Sequence, residues 1–324
     1  MPSSPRGKGK GEPSPLQVLV TGASGQTGVH VVRALLAQPG AFTPAVTVRS
    51  EAAARAMLAL GLPPRAVFGG VDLAGGEQGA AALRAALAGR DALVICSSAV
   101  PRVAWAPTLL GGARAWLAAR LGRADVPFVP VVTWKAGQAP EAVDWLGQRA
   151  QIDAAAACGV GHVVLVSSAG GCDAHHFLNH IGGGDMLNWK RRAEQHLIAS
   201  GLTYTILHPN HLVDRPAGRH VVVLGVDDSL QAPHWRERLK MPRADLAALA
   251  VAALALRDRG AGNRSVDVAA RPARAGEAAT TTLEQFAALF GGMNANCSYA
   301  INDRTAPGAA WACSGPGAAD APAA

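Results

Sequence analysis

Val18-Leu19-Val20-Thr21-Gly22-Ala23-Ser24-Gly25-Gln26-Thr27-Gly28 carries an apolar run straight into a helical pattern, and its reading decides the fold. The run Leu16–Val20 is the length of a buried strand, and the spacing over 26–38 is that of a helix. Between them the glycines recur as GxxGxxG. Gly22 suits a tight turn, Gly25 lets backbone approach a bound group without a Cβ in the way, and Gly28 lets the helix pack closely on the strand. The helix N-terminus then turns its N–H groups and positive dipole end toward an anion. Strand, glycine loop and helix in that order predict a dinucleotide pyrophosphate site made of Gly22, Ala23, Ser24, Gly25, Gln26, Thr27 and Gly28. The competing reading is a glycine turn with no ligand.

The rest of the chain alternates in the same way. Apolar runs at 45–48, 92–96, 163–166 and 204–207 are separated by helical segments at 51–60, 80–88, 140–158 and 186–200. A helix at 243–256, a strand near 265–269 and a helix at 283–290 continue the series. Short, continuous apolar strands divided by helices predict an α/β fold, a doubly wound parallel Rossmann sheet with helices on both faces. Without an internal repeat or linker it reads as a single domain over 16–304 with a small C-terminal substrate-side region. Residues 1–15 and 305–324, rich in Pro, Gly, Ala and Ser, read as a disordered arm and tail. The stretch 102–139 exceeds what the alternation needs, and its surplus Trp105, Trp116 and Trp134 suggest an inserted lid or a partner surface.

Composition narrows the function. Of 324 residues 49% are hydrophobic, enough for a buried core. The formal charge of +7 is spread without a basic stripe or interleaved aromatics, which argues against nucleic acid. Five cysteines with no CxxC pair argue for reduced thiols rather than disulfides or a zinc ribbon. The longest uncharged apolar run, Leu246–Leu256, is too short for a membrane span, and the N-terminus lacks a secretory apolar segment. The cytosol is the expected location, ahead of the chloroplast.

Arg49 directly follows the strand 45–48, about twenty residues beyond the loop, where an acidic residue would select NAD and an arginine accommodates the 2′-phosphate of NADP. Its planar donor fork matches phosphate oxygens, and Ser50 adds a hydroxyl. The expected cofactor is NADP(H), against the alternative of an ordinary solvated arginine.

With these pieces in view, the stretches VLVTGASGQTG, DALVICSSAVP, EAVDWLGQRAQIDAA, HVVLVSSAGG, NWKRRAEQHL, YTILHPNHLVD and PRADLA, in that order, resemble the atypical short-chain dehydrogenase/reductases. The group meant is that of plant NAD(P)-binding Rossmann proteins related to NmrA-like regulators. The resemblance implies that Asp72, followed by Leu73, contacts adenine, and that Ser97, Ser98 and Ala99 line the cofactor. It also implies that Pro209 and Asn210 border the nicotinamide and that Lys190 holds its ribose. Standard members reduce carbonyls with Ser, Tyr and Lys, the Tyr lying one helical turn before the Lys and protonating the substrate oxygen. Here Lys190 and Ser168 match as candidate catalytic residues, but the residue four before Lys190 is Met186, whose thioether has no proton to give. His175, His176 and His180 lack the pattern of a metal site and read as a substrate-side loop, so no metal is expected. Two functions follow: an NADPH-dependent oxidoreductase of a small molecule such as a quinone or activated alkene, or a non-catalytic NADP(H)-binding sensor acting on a protein partner.

Overall fold

The computed structural model describes residues 14–72, 76–120, 131–231 and 239–300. The expectations for the arm, the tail and Leu73 fall wholly or largely outside these residues.

Strand β1 (Leu16–Thr21) is buried from Val18 onward, as expected of a strand covered on both faces. It pairs in parallel with β2 (Phe42–Thr47) on one side and β4 (Ala92–Ile95) on the other. β2 in turn pairs with the two-residue β3 (Val67–Phe68). Beyond β4 lie β7 (His162–Val166), β8 (Tyr204–Pro209) and β12 (Arg264–Pro272), all parallel. β10 (His220–Gly225) closes that edge antiparallel to β12. The eight-stranded order is β10-β12-β8-β7-β4-β1-β2-β3. The order of succession reverses between β1 and β4, so their carboxyl ends frame the crevice in which such sheets bind ligands.

Two small strand pairs lie outside this sheet. β5 (Arg102–Val103) and β6 (Val132–Thr133) form an antiparallel pair within the 102–139 segment, with a helix between them. β9 (Leu212–Val213) and β11 (Met241–Pro242) pair in parallel beyond β8.

Helix α1 (Gly28–Leu36) buries Val31, Val32 and Leu35 at helical spacing against the sheet. α2 (Glu51–Ala59) and α3 (Gly76–Leu87) follow, then α4 (Trp105–Arg120) in the inserted segment. A π-helical turn, Glu141–Gly147, leads into α5 (Gln148–Ala157). α6 (Phe177–His180) is a single turn, and α7 (Met186–Ala199) carries Lys190. α8 (Arg243–Ala255) is apolar nearly all round because it is buried nearly all round. α9 (Leu283–Gly291) begins at a capping box between Thr282 and Gln285 and buries Phe286 and Phe290.

Candidate cofactor groove and buried polar networks

At the switch point the Gly22 carbonyl accepts the Gly25 N–H at 2.9 Å, closing the turn after β1. Gly22 has φ +66° and lies against the backbone of Cys96 and Ser97, where a side chain has no room. A Cβ on Gly28 would overlap the Gly22 carbonyl oxygen, so strand and helix meet here with nothing between them. The α1 N-terminus has no side-chain cap and no acid in its first turn, which suits an anion. Gly28→Ala is expected to cost roughly 1–3 kcal/mol through overpacking against backbone that cannot yield. The melting temperature should fall and cofactor affinity with it, and a variant with wild-type values in both would remove the close-packing role.

A groove of about 670 Å³ runs along this edge. Gly22, Ser24, Gly25, Gln26 and Thr27 line it from the glycine loop, Arg49 and Asp72 from beyond β2 and β3, and Ser97, Ser98 and Ala99 from the end of β4. Ala23 is fully buried beneath the loop. Arg49 is exposed and has no ion pair among the described residues. Ser50 does not line the groove; its hydroxyl accepts the Ala53 N–H at 3.2 Å as the N-cap of α2. Cys96 does line it, but burial pushes its thiol up to about 12, so it stays protonated.

Lys190, Ser168, Pro209 and Asn210 are not among the groove-lining residues. Lys190 Nζ is drawn into a buried ion pair with Asp144 Oδ1 at 2.8 Å and donates to Ser98 Oγ at 3.0 Å. Asp144 also accepts the Ala99 N–H at 3.2 Å. Lys190 thus braces the β4 loop from behind. The Ser168 hydroxyl donates to the Ala169 carbonyl at 3.0 Å. Asn210 donates its side-chain N–H to the Leu230 carbonyl at 3.0 Å, and Pro209 closes β8 within the core. Leu212 and residues 136–138 and 142–143 line the groove instead. Met186 is buried at the start of α7. His176 caps α6 by accepting the Leu178 N–H, so it and His180 do not share a helical face.

Sequence reading missed the groups that hold this edge. Asp144, Gln148 and Gln151 recur at helical spacing and face inward. Gln148 donates to the Ser97 carbonyl at 3.0 Å, and Gln151 donates to Ser97 Oγ while accepting from the Thr21 hydroxyl. Their i, i+4, i+7 polar stripe was the available signal. A second network lies deeper in the core. Glu194 accepts from the Ser167 hydroxyl and from His208 Nε2, the latter at 2.9 Å, while His208 Nδ1 faces Asp267 and Cys297. Burial alone would raise Glu194, but the charge and hydrogen bond of His208, with Arg191 and Ser167, hold it at about 2. Burial opposes the imidazolium too, yet Glu194, Asp267 and Cys297 raise His208 well above its ordinary value. This is a charged brace between α7, β8 and β12.

A family model described as NAD(P)H-binding matches residues 22–256, which spans the glycine loop, the β4 loop and α8. The chain belongs to that NAD(P)H-binding family. Its cofactor is a nicotinamide dinucleotide, and the groove at the switch point has the loop to hold one. Among relatives, the sanguinarine reductase of Eschscholzia californica is 36% identical over 284 residues, covering 85% of this chain and 95% of that protein. An uncharacterised chloroplastic protein of Arabidopsis thaliana is 36% identical over 278 residues, covering 85% of this chain and 75% of its own length. That name sets a chloroplast beside the cytosol expected from sequence. A solved Bacillus halodurans chain assigned to the NAD-dependent epimerase/dehydratases superimposes with a TM-score of 0.55 at 20% identity, over 79% of this chain and 96% of that one, which shows the fold. The family is thus of atypical short-chain dehydrogenase/reductase kind. No helix among the described residues is long and apolar enough to cross a membrane.

Proposed function

We propose that this protein is an NADPH-dependent reductase of a small acceptor that takes hydride without a protein proton donor, such as a quinone or an activated alkene. The observation that carries it is the pairing of Lys190 with Asp144 one helical turn beyond Met186. Carbonyl reduction needs a tyrosine there, acidified by a lysine free to face the cofactor. Tyr204 lies on β8, and the Tyr299 hydroxyl bonds Ser265 beneath Arg191, so neither is on the groove. The relative named sanguinarine reductase, similar over nearly its whole length, supports reduction as the chemistry.

NADPH is chosen over NADH by Arg49, which lines the groove without an ion pair among the described residues. A charge-assisted contact to the 2′-phosphate contributes about 1.5–3 kcal/mol. Arg49→Glu is therefore expected to weaken NADPH tenfold or more in fluorescence titrations and to leave NADH nearly unchanged. Equal losses on both would refute the 2′-phosphate assignment.

The second reading, an NADP(H)-binding sensor of NmrA-like type, draws on the same missing proton donor and on the exposed apolar face of Trp105, Leu109 and Leu110 on α4. NADPH binding with no turnover across a quinone and enone panel would favour it.

A further inference from the structure

Arg243 has no part in the cofactor assignments made above, yet it stands in the same groove. It is the first residue of α8, which comes from the opposite half of the chain. Its Nη2 donates to Gln26 Oε1, within the glycine loop, at 2.9 Å. Its Nη1 donates to Asp214 Oδ1 at 2.9 Å. The side chain is only 14% exposed, and its Nε–H is buried without a hydrogen-bond partner. Two hydrogen bonds thus fix a cation at the groove wall beside the glycine loop, the protein's half of an anion site.

Charge points to what completes it. Among the described residues that line the groove, Arg49 and Arg243 are the only cations. Arg49 follows β2, and Arg243 stands beside Gln26 of the glycine loop. NADPH carries its negative charge in two places, the 2′-phosphate and the pyrophosphate. Two cations line a groove whose ligand carries two anionic groups.

We infer that Arg243 is the pyrophosphate clamp of this site, closing over the dinucleotide from α8 while the glycine loop holds it from beneath. The inference rests on the NAD(P)H-binding reading and adds the residue that grips the shared part of both nicotinamide cofactors. Asp214, 73% exposed, aims the guanidinium. Gln26 occupies the donor that a phosphate oxygen takes on binding. The fork of the guanidinium matches phosphate oxygens in a way that a lysine does not.

The test uses the full chain and titrates NADPH and NADH separately. Arg243→Gln should weaken both by a similar factor, tenfold or more, because both carry the pyrophosphate. Arg49→Glu, by contrast, should weaken NADPH alone. Wild-type affinity for both cofactors in a folded Arg243→Gln would overturn the clamp, and so would a loss confined to NADPH, which would move Arg243 to the 2′-phosphate. Arg243→Lys keeps the charge opposite Asp214 and covers the case in which the glutamine variant misfolds. It should lose severalfold on both cofactors, and wild-type affinity in it would count equally against the clamp. A wild-type protein that binds neither cofactor would instead sink the cofactor reading on which the clamp rests.

Discussion

Supplied with NADPH, the wild-type protein is expected to reduce quinones at least a hundredfold faster than simple ketones. A positioned general acid contributes roughly 10²–10⁴ in rate. The place from which it would act is occupied by Met186, a buried thioether four residues before Lys190. A ketone that receives hydride becomes an alkoxide and needs a proton as the bond forms. A quinone that receives hydride becomes a hydroquinone monoanion, whose charge is spread over the aromatic ring, and takes its one further proton from water. Of the hydroxyls that line the groove, Ser97 accepts from Gln151 and Ser98 from Lys190. Met186→Tyr alone should restore little, since Lys190 stays paired with Asp144 and cannot acidify the new phenol. The measurement is NADPH oxidation with matched ketone and quinone panels in both proteins. Comparable wild-type rates on the two panels would show that another group donates the proton.

Much of this fold was legible because its signals are local. The runs at 18–20, 92–96 and 163–166 are continuous and apolar, and the structure places them side by side in the middle of the sheet. The glycine loop was legible for the same reason, since its turn, close approach and helix start all fall within Gly22–Gly28. What escaped reading depends on partners far apart in sequence. β10 is a strand because β12 pairs with it antiparallel, and two-residue strands such as β3 and β9 have no periodicity to show. Lys190 was recognised by its place in NWKRRAE, but its partner Asp144 is 46 residues away, on a π-helical turn whose spacing resembles an ordinary helix. The Arg243 contact to Gln26 spans 217 residues, beyond the reach of any motif. His208, which no motif singled out, is turned inward by the fold onto Glu194, which lies on a different element.

Replacing Asp144 with alanine is expected to destabilise the protein by about 3–5 kcal/mol, a drop in melting temperature on the order of 10 °C for a domain of this size. The side chains of Lys190 and Asp144 are 5% and 0% exposed, so removing the carboxylate strands an ammonium that water cannot reach. The Ala99 N–H loses its acceptor at the same time. Loss of that anchor loosens the Ser97–Ala99 edge, so NADPH affinity should fall as well. A charge mismatch of this kind is repaired by removing the other charge. The double variant Asp144→Leu, Lys190→Met should therefore regain most of the stability, because a buried ion pair and a packed apolar pair are often nearly equivalent. Urea and thermal unfolding of the two singles and the double give the coupling directly. If the singles each lose less than about 1 kcal/mol, the pair is solvated in solution and is not the brace seen here. The double variant also separates the two roles of Lys190. Recovered stability with lost NADPH affinity would mean the lysine releases Asp144 to hold the ribose when cofactor binds. Recovery of both would confine Lys190 to bracing the β4 loop, and would leave the glycine loop, Arg49 and Arg243 to hold the cofactor without it.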